Sequence, residues 1–394
     1  MISLPTNRDE NWRYANLRPL AKARVEVANQ DLTKPGDFDL APLAGFARCL
    51  FTDGYWQAGG ADPRTARLDA REAGASFTAL LDSDLASAGV DFALARINAA
   101  RGNEVFQIAL PDDSPPLNLE LLFLAKTPAA AGTSYPRVQI VAGRNTRLRL
   151  VERHLTASGV DAAVNAAVDI ALRPGAHLEH VRVQDCSAST AIFDTLIAHV
   201  GEAAEYRLRT VTLGGLTSRS TAFIKLAGRA ARCEFTAASV ASGNQTHDLF
   251  AEIEHAGAGS VTREMFRGIA NDRGKLAFNG KMIVRESAHD ADSDQSLKTL
   301  LAGSGAEAAV RPQLEIHTDR VRAKHGATTG KLDQQMLFYL LSRGIERATA
   351  QTLLQWAFIE DAVSRIEPAP LRADIERLIA ARLLEVAALG LLQP

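Results

Sequence analysis

The sequence predicts a mainly β fold, in which a stacked β-solenoid, or β-helix, lies between two α-helical regions. Hydrophobic residues recur at helical spacing in the first hundred residues and again after Gly330. Between these regions, short runs of alternating polar and apolar residues are separated by glycine turns that recur about every 26 to 32 residues. These observations divide the chain into a mostly helical region over residues 1–102, a β-helix core over 103–328 and a helical domain over 329–394.

The N-terminal region contains one long helical pattern, SFTALLDSDLASAGVDFALARINAARG, over residues 76–102. Its apolar residues follow the spacing of one helix face. They are Leu80, Leu81, Leu85, Val90, Phe92, Leu94 and Ile97. The preceding stretch DLTKPGDFDLAPL, residues 31–43, contains two prolines and predicts an irregular link.

The β-helix core is predicted from five units that share one pattern: an apolar strand, a glycine turn and a second alternating strand. The turn glycines are Gly143, Gly175, Gly201, Gly228 and Gly257. One such unit cannot bury its apolar face alone, whereas stacked units can, so the repeat favours a solenoid. A β-sandwich with similar turn spacing is the alternative that this pattern leaves open.

The C-terminal region returns to helical spacing. Its first apolar positions are Met336, Leu337, Leu340, Leu341 and Ile345. Pro368 and Pro370 interrupt this pattern, because proline cannot continue a helix. The segment LRADIERLIAARLLEVAALGLL that follows predicts one further helix.

The composition argues against several classes of protein. A net charge of −2 at pH 7 gives no basic surface for nucleic acid. The longest apolar runs, such as LELLFLA at residues 119–125, are too short to cross a bilayer, and MISLPTNRDENWRY at the start lacks the apolar core of a secretory signal. We therefore expect a cytoplasmic protein that binds neither nucleic acid nor membrane.

The cysteines do not form a metal-binding or disulfide pattern. Cys49, Cys186 and Cys233 are scattered along the chain, with no CxxC pair. Such an odd and sparse count argues against a disulfide framework and against a zinc or iron–sulfur site built from this chain's thiolates.

The histidines offer weaker candidates. His177 and His180 lie three apart on a predicted strand, so they point to opposite faces. In QLEIHTDRV, a period of two places Glu315, His317 and Asp319 on one face, where they are either a metal site or a solvated strand face. We favour the solvated face, because a charged strand face is more often exposed to solvent than occupied by metal.

His325 differs from these in its surroundings. It lies in RAKHGATTGKLD, between an alternating strand and an amphipathic helical segment. Gly326 and Gly330 permit another backbone to approach closely. From the spacing alone, His325 either orders a strand-to-helix corner or takes part directly in function.

Four motifs make the C-terminal half similar to a known family. They are FxGKxxV at residues 278–284, PxLEIxxDxVxxxHGATxGxLD at 312–333, LFYLxSRGI at 337–345 and AxxLLxxAF at 350–358. Together they resemble the C-terminal core of the SufB/SufD family, the scaffold proteins of iron–sulfur cluster assembly. The HGATTG form and the N-terminal LPTNRDENWRYANL resemble the SufD branch of that family.

The resemblance implies a right-handed parallel β-helix between helical regions, in agreement with the repeat. It implies two partners in a SufBCD-type complex: a SufB-like paralogue that pairs through the β-helix ends, and a SufC-like ABC-type ATPase that docks on the C-terminal helices. Self-association of the isolated chain and binding of a reduced flavin by the complex are further expectations. No tightly bound cofactor and no catalytic residue is expected.

The resemblance also gives His325 a role. This residue matches the histidine that the family places at the SufB–SufD interface, where a nascent cluster is held, and the resemblance implies that it is a transient ligand of that cluster. Many relatives carry a cysteine two residues earlier, where this chain has Ala323. His325 is therefore the donor that we expect from this chain.

The candidate residues for docking the ATPase lie in the amphipathic C-terminal segment. They are Phe338, Leu341, Arg343, Ile345, Leu354 and Phe358. Apolar residues spaced in this way also suit packing against the chain's own core.

Two alternative functions remain open from the sequence. One is a β-helix carbohydrate-active enzyme, because that fold carries many activities. The other is a paralogue that only assembles the complex and ligates no cluster, an alternative that Ala323 supports.

Overall fold

The structure is a computed structural model that describes residues 3–22, 26–28, 40–57, 62–69, 89–102 and 104–390. Strands account for 49% of it and helices for 18%. The strands are β1 (Ala47–Thr52), β2 (Tyr55–Trp56), β3 (Thr65–Asp69), β4 (Glu104–Leu110), β5 (Leu117–Ala125), β6 (Arg137–Ala142), β7 (Arg147–Thr156), β8 (Ala163–Leu172), β9 (His177–Asp185), β10 (Ala191–Val200), β11 (Glu205–Thr212), β12 (Thr217–Leu226), β13 (Arg232–Ala241), β14 (Thr246–His255), β15 (Val261–Ala270), β16 (Lys275–Val284), β17 (Ala291–Leu301), β18 (Glu307–Ile316) and β19 (Val321–Lys331).

The helices lie at the two ends of the chain. Short 3₁₀ turns occur at Glu10–Trp12 and Gly89–Phe92. The α-helices are α1 (Arg18–Lys22), α2 (Ala93–Arg101), α3 (Gln334–Ser342), α4 (Arg347–Val363) and α5 (Ala369–Gly390). Within the described ranges, no helix combines the length and the apolar composition that crossing a membrane requires.

The strands form two sheets, and successive strands alternate between them. The odd-numbered strands except β3, together with β2, form a ten-stranded sheet, and β3 with the other even-numbered strands forms a nine-stranded sheet. Apart from β1–β2 and β3–β4, which are antiparallel, each pair is parallel. The result is a parallel β-solenoid of about 8 turns, which confirms the predicted fold.

The sequence repeat explains why the turns stack. Alternate side chains point between the two sheets and form one continuous apolar core from Leu119 to Leu297. At the corners, the predicted turn glycines lie against the preceding turn. A Cβ on Gly257, for example, would collide with the backbone of Gly228. Glycine is required there because the backbones of successive turns are in contact.

Helical segments cover the outer faces of both sheets. The N-terminal segment packs on the nine-stranded sheet. There the ring centroid of Trp12 lies 4.2 Å from the guanidinium carbon of the buried Arg219. Helices α4 and α5 cover the ten-stranded sheet, and Ile359 and Val363 join the apolar cluster there. The layers are thus N-terminal segment, sheet, core, sheet and C-terminal helices.

A buried network of charges joins the two sheets inside the solenoid. Arg182 on β9 donates to Glu152 on β7 at 2.9 Å and to Asp194, on the opposite sheet, at 2.8 Å. Burial opposes the charged form of Glu152, but Arg182 and His180 outweigh it and hold the pKa of Glu152 well below its usual value. His180 is buried and His177 is half-buried on the other face of the strand, so the predicted opposite orientation of these two histidines is confirmed.

Within residues 1–102, which were predicted to be mostly helical, residues 47–52, 55–56 and 65–69 are strands. Strands β1 and β3 lie there, and β1 pairs in parallel with β5 to extend the solenoid. The short run ARCLFT carries too few residues for a clear period, and pairing with an existing sheet edge decides its conformation.

Residues 70–88, which hold most of the predicted long helix, lie outside the described residues, and so does most of the predicted link over 31–43. Helix α2 occupies the end of that pattern.

The end of the solenoid also differs slightly from the predicted boundary. Strand β19 continues to Lys331, beyond residue 328, and includes Gly326 and Gly330. Their backbone is extended because pairing with β17 along the whole strand holds them in the sheet.

Candidate functional site

The solenoid ends in two open strand edges. Strand β18 is the last strand of the nine-stranded sheet and β19 is the last strand of the ten-stranded sheet, so each is paired on one side only. Every residue of β19 is exposed or half-buried, and so is every residue of β18. An unpaired edge presents backbone N–H and C=O groups that can pair with another strand. We call this surface, formed by β18 and β19, the open end.

His325 lies on β19 at the open end. Its Cα is in register with that of Gln295 on β17, one turn deeper. Four residues further along, Thr299 and Thr329 are register partners, and a hydrogen bond of 2.8 Å joins their side chains. Since alternate residues share a face, His325 lies on the same inner face as Thr329. It is exposed because no further turn covers it.

Ala323 occupies the next inner position before His325, in register with Ser293. A cysteine at this position would bring a thiol onto the same inner face as the imidazole. In this chain, the inner face of β19 instead presents the imidazole of His325 beside the small side chains of Ala323, Ala327 and Thr329.

The outer face of β19 carries ion pairs rather than ligands. Lys324 lies 2.9 Å from Asp294, and Arg322 lies 3.2 Å from Asp292. These pairs link β19 to β17 across solvent-exposed positions, where each contributes little to stability.

The predicted face formed by Glu315, His317 and Asp319 is only partly present. His317 lies 2.9 Å from Glu315, which also contacts Lys281 at 3.2 Å. Strand β18 ends at Ile316, and Asp319 follows in a bend, so it does not share their face. In the part of the chain that the structure describes, no three His, Cys, Asp or Glu side chains form a metal-binding group.

The thiols of this chain are not available as ligands at the open end. Cys49, Cys186 and Cys233 are all buried and free. Burial raises the pKa of Cys49 to about 11 and that of Cys186 to about 12, and it raises the pKa of Cys233 further. A buried thiol with a raised pKa stays protonated and inert.

A buried polar pair beneath the open end was not predicted from the sequence. Glu264 on β15 and Gln295 on β17 are register partners inside the solenoid, and they are 3% and 1% exposed. Gln295 Nε2 donates to Glu264 Oε2 at 2.5 Å. Burial raises the pKa of Glu264 to about 7, against the opposing effect of this hydrogen bond. Only the assigned register could have revealed the pair, because 31 residues separate its members.

A second exposed surface lies on α3, next to the open end. Phe338 is 72% exposed, and Arg343 is exposed with its guanidinium 5.2 Å from the ring of Tyr339. Asp333 caps this helix by accepting from the backbone N–H groups of Gln335 and Met336. The cap fixes where α3 begins and hence which side chains face outward.

The other predicted docking residues are more enclosed. Leu341, Ile345 and Leu354 are half-buried, and Phe358 packs against the apolar cluster under α4. Three exposed apolar residues of the same helices were not predicted: Met336, Tyr339 and Leu353. The helical period groups residues by face, but it does not tell which face the rest of the molecule covers.

Comparison with known proteins identifies the family. A family model described as "SUF system FeS cluster assembly, SufBD core domain" matches residues 123–358, more than half of the chain. The chain belongs to the SufBD family. The matched range runs from β5 through the open end to α4, so the solenoid that carries His325 is the SufBD core itself.

Individual SufBD relatives match over nearly the whole chain. The iron–sulfur cluster assembly protein SufD of Escherichia coli is 26% identical over 96% of this chain and 89% of its own length. A SufBD family protein of Synechocystis is 27% identical over 97% of this chain and 88% of its own. Within the family the resemblance is to SufD, as predicted from the sequence. The family and these relatives support a role in iron–sulfur cluster assembly.

Proposed function

We propose that this chain is the SufD-like scaffold subunit of a SufBCD-type complex, which assembles iron–sulfur clusters and passes them to target proteins. One observation carries the proposal: the solenoid ends in two unpaired strand edges, with His325 exposed on the inner face between them. In this proposal, a SufB-like paralogue pairs with the open end. The chain itself supplies no catalytic residue, and the complex works in the cytoplasm.

The chemistry of His325 fits a transient ligand for a cluster that is cargo. Imidazole nitrogen coordinates iron in some clusters, in place of thiolate. The three thiols of this chain are buried, and Ala323 provides none at the open end. The remaining ligands must therefore come mostly from the SufB-like partner. Ligation shared across an interface suits a scaffold, because separation of the subunits releases the cluster.

The exposed surface of α3 is the proposed docking site for a SufC-like ABC-type ATPase. Met336, Phe338 and Tyr339 place three large apolar side chains in solvent next to Arg343. Aromatic residues and arginine are the side chains that most often anchor protein interfaces. A reduced flavin in the complex stays a prediction, and no residue is assigned to it.

The test is the exchange His325→Ala in the purified three-component complex. We expect the complex to assemble and its ATPase to stay active, while cluster accumulation, followed by sulfur-to-iron charge-transfer absorbance, falls severely. His317→Ala is the matched control, because this histidine is exposed on the neighbouring strand end and pairs with Glu315. Full cluster accumulation by the His325→Ala complex would favour the second candidate.

That second candidate is a paralogue that assembles the complex and ligates no cluster. Ala323, in place of the family's common cysteine, is the observation that favours it. Nothing among the described residues favours a carbohydrate-active enzyme, whose chemistry needs paired acids along an open groove.

A further inference from the structure

The inner face of the solenoid carries a polar column that leads from the open end into the core. His325, Gln295 and Glu264 occupy successive turns of the ten-stranded sheet, each in register with the next. Adjacent strands of a sheet lie about 4.8 Å apart, so side chains at one register position on one face are within reach of each other. Below Glu264 the column continues as Phe235 and Leu208, which are apolar. Phe235 and Leu208 thus separate the three polar residues at the open end from His180, the next member of the column.

The opposite sheet leaves room for this column. Gly280 on β16 faces Gln295 and Glu264 across the core, and a Cβ at that position would collide with Gln295 Nε2. This glycine belongs to the motif FxGKxxV. Its missing side chain is therefore needed by the Glu264–Gln295 pair.

The pair leaves two buried oxygens without a partner. Gln295 Nε2 donates to Glu264, but Gln295 Oε1 and Glu264 Oε1 have no hydrogen-bond partner among the described residues. A buried polar atom without a partner costs about 1–3 kcal/mol, so a folded protein retains one only when something else compensates. Gln295 Oε1 is an acceptor one turn beneath His325, whose ring carries an N–H donor. The structure shows no hydrogen bond between the two side chains, and rotation of the exposed imidazole of His325 would form it.

We propose that Gln295, held in place by Glu264, is a positioning residue for His325. Its free Oε1 accepts the imidazole N–H and thereby turns the other ring nitrogen, with its lone pair, toward the open end. Histidines that bind metal commonly donate their second N–H to a carbonyl or carboxylate, which fixes the tautomer. The inference deepens the proposed function. The use of this orientation in binding a cluster rests on the proposed function, whereas the hydrogen bond between Gln295 and His325 does not.

The test is the tautomer of His325 in the full-length chain labelled with ¹⁵N-histidine. The His325 signals are assigned from their loss in His325→Ala, and the spectra are recorded at a pH where the ring is neutral. We expect one tautomer to dominate in the unmodified chain. In Gln295→Met, which keeps the side-chain length and removes the acceptor, we expect the tautomer ratio to fall about fivefold, the effect of one hydrogen bond.

Two further variants separate orientation from packing. Thr299→Val removes the hydrogen bond between Thr299 and Thr329 on the same two strands and should leave the His325 tautomer unchanged. Gln295→Glu keeps an acceptor, so the dominant tautomer should persist. An unchanged ratio in Gln295→Met, or an equal change in Thr299→Val, would overturn the inference. If Gln295→Met does not fold, Gln295→Glu decides, because loss of the dominant tautomer in a variant that keeps the acceptor would overturn the inference.

Cluster loading in the complex is measured separately. Gln295→Met should reduce cluster retention while the complex stays assembled, as His325→Ala does. The tautomer is measured without any cluster. The positioning role of Gln295 and the proposed scaffold function are therefore tested independently. If the unmodified complex loads no cluster, the proposed function fails and the tautomer result still stands.

Discussion

His325 and Glu264 are ionisable groups of one inner column, and their environments are opposite. His325 is exposed on a strand that has one neighbour, whereas Glu264 is enclosed between the sheets with a carboxamide as its partner. At the residue scale, what each side chain can contact therefore depends on how many turns separate it from the open end. An exposed imidazole can reach a partner, and a buried acid can only act through its neighbour.

The buried acid predicts a pH dependence of stability. Burial raises the pKa of Glu264 from 4.5 to about 7, so the folded chain holds this proton more tightly than the unfolded chain does. The stabilisation is fully present below about pH 4.5 and is lost as the pH rises through about 7, with a total of roughly 3 kcal/mol.

Glu264→Gln is the variant that isolates this effect, because it keeps a hydrogen-bonding side chain of the same size and cannot ionise. The urea midpoint of the unmodified chain, relative to that of the variant, should fall between pH 4.5 and pH 8. Comparing the two chains cancels the titration of all other groups. Parallel pH profiles of the two midpoints would show that Glu264 does not titrate in this range.

At the scale of secondary-structure elements, the three C-terminal helices differ in how much of their apolar surface the solenoid covers. Helices α4 and α5 cover an apolar sheet face, and Arg267 on β15 donates to Asp361 on α4 at 2.6 Å. Removing them would expose that face and lower solubility. Helix α3 buries only Leu337 and leaves its other large apolar side chains exposed or half-buried. A docking test should therefore alter α3 and leave the other two intact.

Phe338→Glu is the variant on α3 that tests docking of the ATPase most directly. Because Phe338 is 72% exposed, the exchange should leave the free energy of unfolding within about 0.5 kcal/mol. Loss of an aromatic anchor should weaken binding of the ATPase roughly 30-fold, measured as a dissociation constant by calorimetry. Tyr14→Glu, 46% exposed in the N-terminal segment, is the matched control. Equal affinities of both variants would exclude α3 as the docking site.

At the scale of the whole molecule, the solenoid is asymmetric. At its start, β2 and β3 cover β1 and β4 as antiparallel strands, whereas at its end β18 and β19 are left open. Inside, the network of Arg182, Glu152 and Asp194 joins the sheets by hydrogen bonds at fixed turns. Such a network disfavours slippage of one sheet against the other, because a shifted register would leave buried charges unpaired.

The open end predicts self-association of the isolated chain, since unpaired strand edges are templates for pairing. Ile316, at the end of β18, is 42% exposed there. Ile316→Lys should weaken association at least roughly tenfold, because a charge would be desolvated in the interface. Sedimentation velocity over a concentration series measures this, with Leu384→Lys on α5 as the control. If Leu384→Lys dissociates the assembly and Ile316→Lys does not, the interface lies elsewhere.

The sequence by itself determined the solenoid, the C-terminal helices and the candidate His325. Alternation and turn glycines such as Gly257 encode stacking directly, because each glycine is required by a contact with the turn before it. Spacing alone left the role of His325 open, and the family motifs around it made it the candidate. Only the tertiary structure decided that residues 47–52 join the sheet, that Phe358 packs inward and that Gln295 lies beneath His325. Each of these depends on register or coverage between segments distant in sequence, and no local pattern records which surfaces a fold brings together.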